Sequence, residues 1–514
     1  MSVTIDYNFV PGFPKLGWLA HYDLHKRAIK VLHGSSVECK DQWMVEGVWD
    51  GDFELGGFHR SENFFGSGIR IDDEDVYFVA SSAMADRLFF LESSSVVTAS
   101  NSLIVMLAHT GAALDPNHDY RDETMSILGG VSKYVRPFTV SHPQISKFQQ
   151  VFYENIVISE GLVRFETRTE RKKIRSFEEY YGLLRECLFR IGKNYTNFAR
   201  KVPINAFSTI SSGYDSTAVT SMVKDIGVTT CFSSRKADSW IPTWFGSRSA
   251  DDGTIAANAF GLDIEYLDLV PSRVTEDEVY FLATNIAKFW EASLSELIFH
   301  SMARYIEENC KAAVVFTAYH GDKIWDVSTP EKYVTDEIVR PGTDGLSLSE
   351  IRLKSGFINV VVPFILAVNI KDVYVISHSK EMYPWRMFNS YDRPIARRIA
   401  EAAGVPRTAF GLRKKQVASY YRYPINPLLR KQFFDFLKRE YSLSARFVYF
   451  HNALNQMAMF FKKILGHLGL VAQGDRKTTF WRSIDMRFLM WIWATKVLTE
   501  RMSNILKNHG KKVK

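Results

Sequence analysis

A chain of 514 residues is too long for one hydrophobic core, and 46% hydrophobic with 24% charged residues reads as a folded protein of at least two domains, not a disordered chain. The net charge of +7 is modest for that length and does not mark a nucleic-acid-binding surface; part of it lies in the tail, Lys507 to Lys514, which reads as a solvated, frayed end. Cys39, Cys187, Cys231 and Cys310 stand far apart with no C-x-x-C pair, which argues against a zinc ribbon, a disulfide scaffold or a paired-thiol redox site.

Residues 1 to about 170 read as mostly β. Short alternating segments such as Val76 to Ala80 and Phe152 to Ile158 are separated by Gly, Asp and Ser clusters, with one helical stretch near Ser102 to His109. The N-terminus has neither the basic start nor the apolar core of a signal peptide, so the expected compartment is the cytoplasm.

From Lys172 the chain turns helical: Tyr180, Leu183, Leu184, Cys187, Leu188 and Ile191 recur at three- and four-residue spacing and predict a helix packed by one face. An apolar run, Ile204 to Ile210, then predicts a strand. It feeds the loop Ser211-Ser212-Gly213-Tyr214-Asp215-Ser216, after which Ala218, Val219, Met222 and Val223 carry helical periodicity.

Such a strand-loop-helix junction suits a phosphate, because the first amides of a helix are unpaired and carry the positive end of its dipole. Gly213 is expected to supply a backbone angle other residues resist. Ser211 and Ser216 offer hydroxyls, and Asp215 can hold a Mg²⁺ that bridges phosphate oxygens.

Further strands are predicted at Val228 to Ser234, Ile264 to Leu269 and Ala312 to Phe316, with helices from Asp251 to Gly261 and Leu294 to Asn309 between them. Strand and helix alternate as a parallel sheet requires. The rest, Leu346 to Leu506, reads as helical, with a basic cluster from Arg393 to Lys415. Its longest apolar run, Phe357 to Ile370, is interrupted by Asn359, Pro363 and Asn369 and falls short of the roughly 20 residues of a membrane helix, so no membrane partner is expected.

The loop from Ser211 to Ser216 resembles the S-G-G-x-D-S pyrophosphate loop of the ATP pyrophosphatases, the PP-loop superfamily of asparagine synthetase and β-lactam synthetase, with Ser212 in place of the first glycine. Thr317-Ala318-Tyr319-His320-Gly321-Asp322 resembles the T-G-Y-G-A-D stretch of β-lactam synthetase. Trp49-Asp50-Gly51-Asp52-Phe53 and Val97-Thr98-Ala99-Ser100 resemble the amino-terminal half of asparagine synthetase, an amidohydrolase with a cysteine as its first processed residue; here that residue is Ser2. The resemblance therefore implies an inactive, amidotransferase-like (Ntn-hydrolase-like) sandwich of sheets and helices over residues 1–170. It implies an α/β nucleotide-binding synthetase domain with helical additions over 171–514.

The implied function is an AMP-forming carbon–nitrogen ligase that uses ATP and Mg²⁺ to adenylate a small-molecule or peptide carboxylate, which an amine then attacks. By the same resemblance Ser211, Ser212, Gly213, Asp215, Ser216 and Ser233 bind ATP, and Asp215 and Asp322 share the metal. Tyr319 accepts the ammonium proton, Glu350 orients Tyr319, and Lys414 stabilises the oxyanion, with Lys415 the neighbouring alternative. A homodimer is the assembly to look for, without nucleic acid or membrane. Two alternatives stand beside this one: an ammonia-dependent asparagine synthetase in the strict sense, which the missing cysteine disfavours, and a non-catalytic nucleotide-binding or scaffold protein.

Overall fold

The computed structural model describes residues 2–84, 86–168, 171–235, 252–267, 274–284, 294–335, 337–338, 349–389, 391–410, 423–451, 453–454, 457, 461 and 486–512. Among them the strands form three sheets, two of which belong to the first 170 residues. The larger runs, in spatial order, Thr4–Phe9, Ala28–His33, Trp18–Asp23, Val96–Ser100, Leu88–Glu92, Lys147–Val151 and Pro137–Thr139. The smaller runs Leu162–Glu166, Asn155–Ser159, Asp75–Val79, Phe64–Asp72, Trp43–Trp49 and Glu38–Lys40. Only the edge pair Thr4–Phe9 and Ala28–His33 is parallel.

Period-2 patterning sets the layers. Trp18, Ala20, Ile29 and Val31 of one sheet meet Met44, Ile69, Val76 and Phe78 of the other in a dry interior. The far face of the smaller sheet carries Trp43, Trp49, Phe53, Phe58 and Phe64. Their rings meet mostly edge to face, Trp43 and Phe53 at 5.3 Å between centroids, the arrangement ring quadrupoles favour. Helix α1 (Leu103–Thr110) begins at Ser102, whose side chain accepts from the Val105 amide. Helix α2 (Phe177–Tyr195) begins at Ser176 in the same way and buries Tyr180, Leu184, Cys187, Leu188 and Ile191 of the predicted face, whereas Leu183, expected with them, is exposed. Ser2 lies exposed just ahead of the parallel edge strand.

The third sheet is wholly parallel: β1 (Ile204–Thr209), β2 (Thr230–Ser233), β3 (Asp263–Tyr266), β4 (Ala312–Thr317) and β5 (Phe357–Val361), in the order β3-β2-β1-β4-β5. The chain order reverses between β1 and β4. In an open α/β sheet that reversal opens a crevice beyond the carboxyl ends of the two strands, where ligands bind. Around the sheet stand α3 (Tyr214–Val223), α4 (Thr254–Phe260), α5 (Leu294–Asn309), α6 (Gly321–Ile324), α7 (Ser349–Ser355), α8 (Pro394–Ala402) and α9 (Met486–Lys512). No helix of the described residues is long and apolar enough to cross a membrane.

Two expectations need correction. Phe357–Val361 is a strand inside the segment read as helical; every residue of it is buried, so no polar alternation discloses its period. The basic tail is not frayed up to Lys512, because it continues α9, whose inner side packs on α1.

Packing does not part at residue 170. One apolar cluster joins Leu16, Val48 and Phe65 to Leu184, Val219 and Val360, and another joins Phe13, Phe89 and Leu107 to Phe207, Val315 and Trp491. Between the halves Arg352 of α7, fully buried, donates to both oxygens of Glu46 at 2.7 and 3.0 Å and to Asp86 at 3.1 Å. Burial alone would lower the Arg352 pKa, but the two carboxylates more than offset it and hold the guanidinium charged.

Candidate functional site

The turn after β1 is built by hydroxyls. Ser211 Oγ accepts from the Gly213 amide at 3.1 Å, and Ser216 Oγ accepts from the Ser211 amide at 3.1 Å. The two hydroxyls lie 2.8 Å apart, and Thr217 Oγ1 donates to the Gly213 carbonyl at 2.8 Å. Ser212 stands half-buried at the middle of the turn. These bonds bring α3 in with Gly213 as its N-cap. Among the described residues none accepts from the amides of Tyr214, Asp215 or Ser216, so the positive end of α3 is bare.

The loop differs from expectation in two respects. Gly213 has φ −82° and ψ 154°, which any residue adopts; a glycine fits there because an added Cβ would lie 3.2 Å from Tyr391 Oη and 3.3 Å from Ser211 Oγ. The Ser211 and Gly213 amides are not open donors, since the loop's own hydroxyls take them. Any anion therefore meets first the three bare amides at the start of α3.

Beside this loop runs the turn after β4. A Cβ on Gly321 would sit 2.7 Å from Asp215 Cγ, so the two loops touch across the point where the strand order reverses. Asp322 follows in the first turn of α6 and is exposed. His320 holds φ 74°, left-handed, at the position where the resembled T-G-Y-G-A-D stretch has glycine, and its ring stacks on Phe364 at 4.2 Å. Burial and, after it, the nearby Asp322 and Asp392 carboxylates raise the pKa of Asp326 despite its bonds from Ser328.

A third strand of chain crosses the pair. Asp392, fully buried, accepts from Arg386 Nε at 2.7 Å and from the Met387 and Phe388 amides at 3.0 Å each, and its carbonyl accepts from the Val327 amide. This fixes Tyr391, stacked on Tyr214 at 5.3 Å, and Arg393, whose guanidinium is ion-paired to Asp215 Oδ2. Arg393 and Arg397 are buried, so they do not line a solvated helix face.

The remaining expected residues are distributed unevenly. Tyr319 is half-buried beside the same turn as Asp322, with its ring 5.3 Å from Phe299. Ser233 ends β2, near the loop because the Ile210 amide bonds to the Phe232 carbonyl, and its hydroxyl accepts from the Gly253 amide just ahead of α4. Lys414 and Lys415 lie outside the described residues. Asn359 carries no sequence signal, yet it is buried in β5, where it accepts from Thr317 Oγ1 at 2.8 Å; among the described residues its Nδ2 has no acceptor.

Glu350 is occupied elsewhere. Its two oxygens accept from Ser102 Oγ at 2.8 Å and the Leu103 amide at 3.0 Å, so it caps α1 in the amino-terminal half instead of orienting Tyr319. Burial pushes its pKa up to about 7 against the pull of those bonds. The folded value exceeds the unfolded one of about 4.3, so its contribution to stability is full below about pH 4.3 and is lost as pH rises through 7. Glu350→Gln keeps an acceptor for the α1 amides and cannot ionise. We expect it to flatten the loss of stability between about pH 5 and about pH 8 in urea titrations.

The set fits a nucleotide with a divalent cation. Asp215 Oδ1 is buried without a hydrogen-bond partner among the described residues, and the two glycines keep side chains out of the crevice. Among the described residues no group of three or more His, Cys, Asp or Glu side chains forms a metal cage, so a cation bound here would need most of its oxygens from phosphate and water. No family model matches the chain, and no curated protein sequence matches it.

Proposed function

We propose that the chain is an ATP-dependent ligase that activates a carboxylate as its adenylate, releasing pyrophosphate, and joins it to an amine, releasing AMP. The observation that carries this reading is the contact of the Asp215 loop with the Asp322 turn at the reversal of strand order, beside the bare amides of α3. A substrate carboxylate oxygen attacks the α-phosphorus and the bond to the β-phosphate oxygen breaks. The amides of Tyr214 to Ser216 receive the charge that gathers on the departing pyrophosphate. Mg²⁺ held by Asp215 and Asp322 supplies further neutralisation of that charge when bound. In the second step the amine attacks the acyl carbon and AMP leaves. Tyr319 takes the ammonium proton, and the oxyanion is assigned to Lys414, which lies outside the described residues; Glu350 has no part in it.

A second reading, a nucleotide-binding protein without turnover, draws on one observation: Arg393 already occupies an oxygen of Asp215. The deciding experiment is ATP–pyrophosphate exchange screened against amino-acid and peptide carboxylates, with Mg·ATP binding followed by calorimetry. Exchange that depends on one carboxylate supports the ligase. Binding without exchange supports the second reading, and no binding removes both.

A further inference from the structure

Arg352 and Arg393 are both buried against carboxylates, and the two contacts are built differently. Arg352 engages Glu46 through two parallel N–H···O bonds and gives its Nε to Asp86, so the fork is used up. Arg393 meets only Oδ2 of Asp215. Its own Nε and the second oxygen, Asp215 Oδ1, are both buried and have no hydrogen-bond partner among the described residues. Neither atom is open to bulk solvent. A buried donor or acceptor left unpaired costs about 1–3 kcal/mol, and here one of each on a single pair is left so.

Everything around Arg393 aims it at the crevice. It is the N-cap of α8, locked by Pro394 on one side and on the other by Asp392, whose bonds tie residues 386–388 and 327 together. Its guanidinium rests 4.8 Å from the Tyr391 ring, and Tyr391 Oη overhangs Gly213. A guanidinium fork matches two oxygens of a phosphate as well as those of a carboxylate. Burial lowers its pKa to about 10, which leaves it charged at neutral pH.

We propose that Arg393 is an exchangeable counter-ion: without ligand it neutralises Asp215, and when a nucleoside triphosphate enters with its divalent cation the metal takes Asp215 while Arg393 transfers to the phosphate oxygens. This rests on the nucleotide-binding reading above and goes beyond it by assigning a phosphate ligand and a reason why metal and nucleotide bind together. Nothing covalent changes. One ion pair is replaced by two, Asp215 with metal and Arg393 with phosphate.

The test uses the full chain and binding readouts only. Arg393→Gln should tighten Mn²⁺ binding in the absence of nucleotide, followed by electron paramagnetic resonance, and weaken Mg·ATP binding by about ten- to a hundredfold, the worth of one hydrogen bond between charged groups. Asp215→Asn, assayed with ATP in EDTA, should bind nucleotide about tenfold more tightly because Arg393 is released, and the gain should vanish in the double variant. That cycle decides the matter even where Arg393→Gln alone melts early. Wild-type affinity for Mg·ATP and unchanged Mn²⁺ binding in Arg393→Gln, or a gain in Asp215→Asn that survives in the double variant, would overturn the counter-ion role while leaving the nucleotide site standing. A wild-type chain that binds no Mg·ATP sinks both.

Discussion

Asp215→Asn should reduce pyrophosphate exchange by at least about a hundredfold, the loss expected when several kcal/mol of charge stabilisation leaves the transition state. Asp322→Asn should do the same from the neighbouring turn. The two differ in what else they disturb. Asp215 is also the partner of buried Arg393, so its removal leaves a cation without its carboxylate and should lower the melting temperature; Asp322 is exposed, and its variant should melt like the wild type. Measuring exchange and melting on both separates lost chemistry from lost packing. Wild-type exchange in either variant would remove that carboxylate from the metal.

Arg352→Ala carries the largest expected cost in stability. Among the described residues Arg352 is the sole cation bonded to Glu46, which otherwise accepts from Ser67 Oγ at 2.7 Å and Asn101 Nδ2 at 3.3 Å, all of them buried. Truncation strands two carboxylates in a dry interior and should cost about 3–5 kcal/mol. Burial already raises the Glu46 pKa, with Arg352 holding it back, so without the arginine the Glu46 carboxyl takes up a proton more readily. A group whose folded pKa is raised loses its contribution as pH climbs through that value, so the penalty should grow from about pH 5 to about pH 8. Urea unfolding at the two pH values checks both size and sign. A uniform loss below about 1 kcal/mol would show that solvent reaches the cluster.

Local chemistry made the loop legible: β1 is an apolar run, and the serines, glycine and helical period of α3 follow within a few residues. The neighbouring turn was equally readable, because β4 is a short apolar run with Gly321 and Asp322 standing just beyond it. What escaped depends on distance along the chain. Arg393 meets Asp215 across 178 positions, and no spacing rule connects them. The basic cluster drew notice as a source of cations, but nothing in its composition says that one of them would be buried against an aspartate. Glu350 illustrates the converse. The resemblance assigned it to orienting Tyr319, whereas α7 points it at the first turn of α1. Residue separation fixes neither the face of a helix nor the partner it finds.

Helix α9 lies against α1, Ile505 reaches Gly12, and Trp491 joins the cluster that includes Phe13 and Leu107. During synthesis the amino-terminal strands are complete long before that covering helix leaves the ribosome. For the time needed to translate more than three hundred further codons, one wall of the nascent sandwich has only water or a chaperone to shield it, so this half cannot reach its final packing as an early, independent unit.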